Sequence, residues 1–273
     1  MSNIFDKSQL ELRSNPNLLI NGDFSVWQRG VASSSPKGGW GADRWKVSGF
    51  SAVAKSNHGN PDNPISTRNV MTFNKTTSNA SAFIDQAIEN GHWLLYGKII
   101  TVSGSLAISD VNRLNNIQVI NHARNAVLGN AVPTITPMPN QSGWFTFEAT
   151  FAVTKLDTDN SDHAYLRLAF DNEPSNGWLS ELKLELGSVA TPFVPDDPAT
   201  NLAKCQRYLY KINNMHHYTS ANGTAMHYMF PIYMRVDPSI TVSLGTVNRR
   251  SQAWCTVTGM TDGDQFLTAD AEL

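Results

Sequence analysis

Three groups of side chains in this chain have the types and spacing to do chemistry. The run Asp157-Thr-Asp159-Asn-Ser-Asp162 sets oxygen ligands at short intervals, as a calcium loop does. It lacks the sixth-position glycine and the distal glutamate that an EF-hand needs. Glycoside hydrolysis asks for two carboxyls facing one groove from separate strands, which a single loop does not supply. These three acids therefore read as solvated loop carboxylates. His216, His217 and His227, with Cys205, have the ligand types of a zinc site. Zinc needs three or four of them converging on one tetrahedron. The stretch MHHYTSANGTAMHY reads more simply as a metal-free hairpin turning at Asn222-Gly223, with His217 and His227 on neighbouring strands.

The third group is aromatic: Trp40, Trp93, Tyr96, Trp144 and Trp178. An exposed ring is a platform for the apolar face of a sugar, and these five are the candidate glycan-binding residues. Trp144 falls on the polar face of an alternating strand and Trp40 in a Gly-rich loop, which predicts exposure for both. The alternative places the rings under loops or against a neighbouring subunit, since aromatics are enriched at interfaces. The familiar catalytic motifs are missing. The chain has no Gly-x-Ser-x-Gly, His-Glu-x-x-His, phosphate-cradling glycine loop or Cys-x-x-Cys. With no nucleophile, base and orienter in a recognisable pattern, the sequence predicts a protein that is not an enzyme, without catalytic residues, bound metal or cofactor.

The elements that must position these groups are strands. Apolar residues recur at every second position in Ile100, Val102, Leu106 and Ile108, in Phe145, Phe147, Ala149, Phe151 and Val153, in Ala164, Leu166, Leu168 and Phe170, and in Leu182, Leu184 and Leu186. Such rows mark half-buried strands, and two sheets of them stack into a sandwich. Turn-rich segments separate the rows, and no strand-helix-strand rhythm appears. The prediction is an all-β fold: a jelly-roll β-sandwich with a short helix and a small C-terminal β-module. After the linker VPDDPAT, Thr200 is expected to cap a helix carrying Leu202, Cys205, Leu209 and Ile212 on one side, and alternation then resumes. The domains read as 1–16, an N-terminal arm; 17–197, the sandwich; and 198–273, the helix and β-module.

Lys and Arg number 21 against 23 Asp and Glu, and only 16% of residues are charged. That balance lacks the basic stripe of a nucleic-acid binder, so no nucleic acid is expected as a partner. No apolar run nears the roughly 20 residues of a membrane-spanning helix, and the opening MSNIFDKSQLELR does not resemble a signal peptide. Membrane insertion is not expected. The two cysteines, Cys205 and Cys255, read as buried thiols of a protein made in a cytoplasm.

Five stretches resemble a known family. Asn17-Leu-Leu-Ile-Asn-Gly-Asp-Phe-Ser-Val-Trp-Gln-Arg-Gly30, followed by Ala42-Asp-Arg-Trp45, is similar to the opening of tailed-bacteriophage tail-fibre and virion structural proteins. Leu182-Lys-Leu-Glu-Leu-Gly-Ser-Val-Ala-Thr-Pro-Phe193 resembles their last sandwich strand and exit. Cys205-Gln-Arg-Tyr208 and Phe230-Pro-Ile-Tyr-Met-Arg-Val-Asp-Pro238 resemble the helix and terminal module that follow. The resemblance implies a carbohydrate-binding-module-like jelly roll in a virion protein of tail-fibre or receptor-binding type, made in the bacterial host cytoplasm and serving host attachment. It also implies, as an alternative to no metal, a structural calcium near Asn21, Asp23 and Glu181. Implied partners are other virion proteins, a homo-oligomer (a homotrimer) and host surface polysaccharide. Residues 1–16 hold too few apolar groups to fold alone, and Ile4, Phe5, Leu10 and Leu12 are the expected assembly anchors. Two alternatives share these features: a capsid-decoration or head-fibre protein, and a polysaccharide-cleaving tail enzyme.

Overall fold

A computed structural model describes residues 14–33, 39–57, 69–76, 81–139, 141–154, 163–171, 173, 175–217, 225–260 and 263–272. The described residues form two compact units that divide between Pro195 and Asp196.

Among the described residues the first unit has twelve strands and one short helix. In chain order these are β1 (Ala32–Ser33), β2 (Lys46–Ser48), β3 (Ala52–Asn57), β4 (Asn69–Lys75), β5 (Ala82–Ile88), α1 (Gly91–Leu95), β6 (Ile99–Ile108), β7 (Leu114–Ile120), β8 (Val127–Ala131), β9 (Thr134–Pro137), β10 (Trp144–Ala152), β11 (Ala164–Phe170) and β12 (Ser175–Leu186). One sheet runs β1-β3-β4-β12-β6-β10-β9 and the other β2-β5-β11-β7-β8. Chain-consecutive strands repeatedly switch sheets, as from β4 to β5, β6 to β7 and β10 to β11. Antiparallel strands crossing in this way make a jelly roll, so the expected all-β sandwich is the fold that forms.

The alternating rows supply its core. Ile100, Val102, Leu106, Phe147, Ala149 and Leu184 from the first sheet meet Ile84, Ile117, Val119, Leu166 and Leu168 from the second. Gly104 interrupts the β6 row for a steric reason. Phe147 lies opposite it in register, and a Cβ there would stand 2.6 Å from the Leu182 side chain and 2.7 Å from the Phe147 ring. The glycine is the space those two side chains occupy.

Described residues between Asn17 and Trp45, among them Leu19, Phe24, Ala42 and Trp45, pack into the core of the sandwich. Trp45 is fully buried, donates Nε1–H to the Asn21 carbonyl at 2.9 Å and packs against Phe24. Asn21 sits in the left-handed region at φ 57, which Asn tolerates better than most residues. Its Nδ2 donates to the carbonyls of Val26 and Asp43, and its Oδ1 accepts from Val26 N. Asp43 accepts from Gln28, whereas the buried Arg44 donates to the Ala87 carbonyl.

The second unit holds α2 (Pro198–Gln206), β13 (Leu209–His217), β14 (Met226–Met229), β15 (Ser239–Val242), β16 (Thr246–Arg250), β17 (Trp254–Thr258) and β18 (Gly263–Asp270). Its sheets are β13-β18-β15 and β14-β17-β16, with Tyr228, Met234, Val257, Leu267 and Ala269 in the core. Two expectations are corrected here. The helix starts at Pro198, two residues before Thr200, because proline's fixed φ suits the first helical position. It ends at Gln206, so Leu209 and Ile212 belong to a strand, and Leu202 is exposed. The expected hairpin does not pair His217 with His227 either. β13 pairs with β18, setting His217 opposite Gly263, while β14 pairs with β17, setting His227 opposite Thr256. Cys205 and Cys255 are both buried thiols, and burial pushes the Cys255 pKa up to about 11.

Gly104→Ala is expected to cost about 1–3 kcal/mol through overpacking. Chemical denaturation checks this: the midpoint should fall at constant slope, and an unchanged midpoint would show that the Phe147 ring has room to move.

Candidate functional site

The outward face of the seven-stranded sheet carries the polar half of each alternating row. Its cross-strand neighbours follow from the register. Trp144 on β10, Ala107 on β6 and Trp178 on β12 lie side by side. The next row is Thr146, Ser105 and Ser180, and beyond it come Glu148, Ser103 and Lys183. Two hollows open on this face. One of about 360 Å³ is lined by Ser103, Ser105, Thr136, Thr146, Glu148 and Glu181 on the sheet and walled by residues 190–193. The other, of about 320 Å³, is lined by Ser56, Val70, Ala107, Trp144 and Trp178. Ser105 and Ala107 are two residues apart on one strand, as are Thr146 and Trp144. That separation is about 6.8 Å along a strand, so the two hollows lie side by side on this face.

Glu181 reaches the groove through a bulge. The register between β12 and β6 shifts between Ser180 and Lys183, and Glu181 adopts φ 55. A left-handed backbone at a glutamate costs energy and persists only where its surroundings impose it. Here the imposing element is the segment from Asn17 to Gly22. Asn17 Nδ2 donates to the Leu182 carbonyl at 2.9 Å, and Asn17 Oδ1 accepts from Leu184 N at 3.0 Å. Leu18 N donates to Leu184 O, and Leu182 N to Gly22 O. A Cβ on Gly22 would stand 2.1 Å from the Leu182 carbonyl oxygen, so only glycine allows this approach. Ser105 Oγ then donates to Glu181 Oε2 at 3.0 Å and fixes the carboxylate over the groove.

The wall is built on a buried charge pair. Lys183 Nζ stands 3.5 Å from Glu185 Oε1, and both side chains are buried. The three N–H groups of the ammonium are shared among Ser14 Oγ, Thr191 Oγ1 and the carbonyls of Thr191 and Pro192, all within hydrogen-bond reach. Glu185 accepts from Thr191 N and Thr191 Oγ1. Burial pulls the Lys183 pKa below the ordinary lysine value, and the charge and hydrogen bond of Glu185 act against that. These contacts strap residues 190–193 across β12.

The structure separates the five aromatic candidates. Trp144 and Trp178 come together in one hollow. Trp178 is 41% exposed, whereas Trp144 is only 7% exposed, packed with Val70, Ala107 and Met138. The expectation of an exposed Trp144 is therefore corrected: neighbouring outer-face side chains cover it. Trp40 is half-buried, with the Arg29 guanidinium 4.4 Å from its ring centroid. Trp93, 75% exposed, lies on α1, and Tyr96 follows it with its ring 4.0 Å from that of His92. These three do not line either hollow.

Among the described residues no group of three or more His, Cys, Asp or Glu side chains gathers where an ion fits. Of the calcium alternative's trio, Asn21 is committed to the 17–45 segment, Asp23 Oδ1 accepts from Ser25, and Glu181 faces the groove. His227 Nδ1 lies 3.0 Å from Thr256 Oγ1. Asp157, Asp159, Asp162, Ile4, Phe5, Leu10 and Leu12 lie outside the described residues, as do the side chains of His216 and His217. Sequence reasoning did not single out Glu148 or the role of Glu181 in this groove. The available signal was the three-residue spacing of Leu179 and Leu182, both fully buried, which breaks the two-residue period and marks a bulge.

No protein-family model matches the chain, nor does any curated protein sequence. Among solved structures it is similar to a cyclase from Fischerella sp. TAU, at 12% identity and a TM-score of 0.43 over 65% of this chain and all of that one. It is also similar to the enzymatically active domain of bacteriophage CBA120 tailspike protein 4, at 10% identity and a TM-score of 0.39, over 63% of this chain and 21% of that one. A third is the CBM22-2 xylan-binding domain of Paenibacillus barcinonensis Xyn10C, at 10% identity and a TM-score of 0.34, over 53% of this chain and 92% of that one. These are likenesses of fold. The expectation that the chain is not an enzyme is corrected: the solved structures similar to it include a cyclase and an enzymatically active tailspike domain.

Lys183→Met removes one partner of the buried pair and leaves Glu185 without its counter-charge. The expected cost is about 3–5 kcal/mol, with proteolytic cleavage appearing near residues 190–193 first. Native-like stability and protease resistance would show that the strap stands without the lysine.

Proposed function

We propose that this chain is a component of a tailed-phage particle, of tail-fibre or receptor-binding type, whose sandwich holds host-surface glycans on the outer face of its seven-stranded sheet. The observation that carries the reading is the adjacency of two hollows on that face. An indole-lined hollow, with Trp144 and Trp178 flanking Ala107, lies beside a groove of serine and threonine hydroxyls and two carboxylates. Indoles stack on the apolar faces of sugar rings, while hydroxyls take up sugar hydroxyls in either hydrogen-bonding sense and carboxylates accept from them. The particle assignment is supported by the motifs at 17–30, 42–45 and 182–193; the first carries the residues that hold β12 and the last the residues that wall the groove. Assembly as a homotrimer with other virion proteins, through residues 1–16, belongs to the same proposal.

A second reading keeps the ligand and adds its cleavage. It is favoured by Glu148 and Glu181, two carboxylates from separate strands that face one groove, as glycoside hydrolysis requires. Release of reducing ends from a bound polysaccharide, abolished by Glu148→Gln or Glu181→Gln, is its expected signature; a bound polysaccharide left intact contradicts it.

Trp178→Ala tests the first reading. Its exposed ring can be removed without opening the core, so the melting temperature should hold within a few degrees. Affinity for a ligand found on a printed glycan array should fall about tenfold, equivalent to about 1.4 kcal/mol. A variant that binds every such ligand as tightly as the wild type sinks the reading.

A further inference from the structure

We infer that the groove takes glycans built of neutral or amine-bearing sugars and excludes acidic ones. This rests on the glycan reading above and names the ligand's charge class. Glu148 and Glu181 both line the groove, and Glu148 is exposed. Among the described lining residues every other side chain is uncharged: hydroxyls on Ser103, Ser105, Thr134, Thr136 and Thr146, with apolar groups beside them. Lys183, on the same strand as Glu181, is turned under the strap and paired with Glu185. The guanidiniums of Arg124 and Arg167 belong to the other sheet, where both hold the buried Asp85.

The consequence is a matter of sign and of hydrogen-bond sense. A carboxylate only accepts. A sugar hydroxyl or ammonium donates to it, and the bond to an ionised acceptor is stronger than one between neutral groups. A uronate, sulfate or phosphate on the glycan offers no donor to these positions and brings a like charge into a partly enclosed groove, where solvent screens it less than in open water. The hydroxyls tolerate either sense, so the two glutamates set the discrimination. Glu181 is the better fixed of the two, being held by the bulge and by Ser105.

The test uses the full chain on a printed array. Chitin, chitosan, xylan and glucan oligosaccharides stand beside hyaluronan, polygalacturonate and sulfated oligosaccharides, read at low and physiological salt. The wild type is expected to bind members of the first group, with every acidic member at least tenfold weaker and the gap widest at low salt. In the double variant Glu148→Gln, Glu181→Gln that gap should shrink below threefold, with the melting temperature unchanged. An acidic member bound as tightly as the best neutral one overturns the inference, and so does a folded double variant that keeps the full gap. A wild type that binds nothing on the array overturns the glycan reading itself, and this inference with it.

Discussion

Between Asn17 and Gly22 the chain lies across β12 and trades hydrogen bonds with it in both directions, closing to a distance that only glycine permits at position 22. That contact forces the strand to bulge at Glu181. The bulge turns one carboxylate out of the strand's own alternation and into the groove. It also lets Leu179 and Leu182 both reach the core, so that the strand gives up register without giving up burial. The outer face owes its shape to this local strain, which the opposed network at Asn17 and Asn21 holds in place.

A second constraint acts two residues further along β12. Lys183 and Glu185 point outward, where a strand would ordinarily meet water, yet both are buried because residues 190–193 fold back over them. An ion pair removed from water repays its desolvation only if its remaining donors and acceptors are also met. The hydroxyls of Ser14 and Thr191 and two strap carbonyls meet those of the lysine. The same contacts that satisfy the charges raise a wall beside the groove, so fold stability and ligand surface share one set of atoms. The opposite sheet is organised otherwise: Asp85 is enclosed by Arg124 and Arg167, whose guanidiniums lie over Tyr165 and Phe83. The sandwich thus presents an acid-lined face on one sheet and an arginine-bearing face on the other.

Much of the sandwich was legible in the sequence because its strands obey the two-residue period. The rows at 100–108, 145–153 and 164–170 meet in the core as alternation requires. The polar side of those rows gave the outer face too, including the outward direction of Trp144. Its burial was not legible, since that depends on Val70, Ala107 and Met138 arriving from other strands. Glu181 was hidden for a related reason: a left-handed residue follows no period, and only the Leu179–Leu182 spacing betrays it. The hairpin at 217–227 was misread because turn-forming residues signal a reversal without naming the strand's partner, and β18, at the far end of the chain, pairs with β13 instead. Reading the chain as no enzyme failed differently, because missing motifs bound only the chemistries that have motifs.

The account turns on where a sugar chain lies. Hydrogen–deuterium exchange of the full protein, with and without an oligosaccharide found to bind on the array, measures that directly. Protection is expected at Ser103–Ala107, Trp144–Glu148 and Trp178–Glu181, with the strands of the five-stranded sheet unchanged. Protection confined to β5, β7 and β11, with none on β6, β10 and β12, would contradict it.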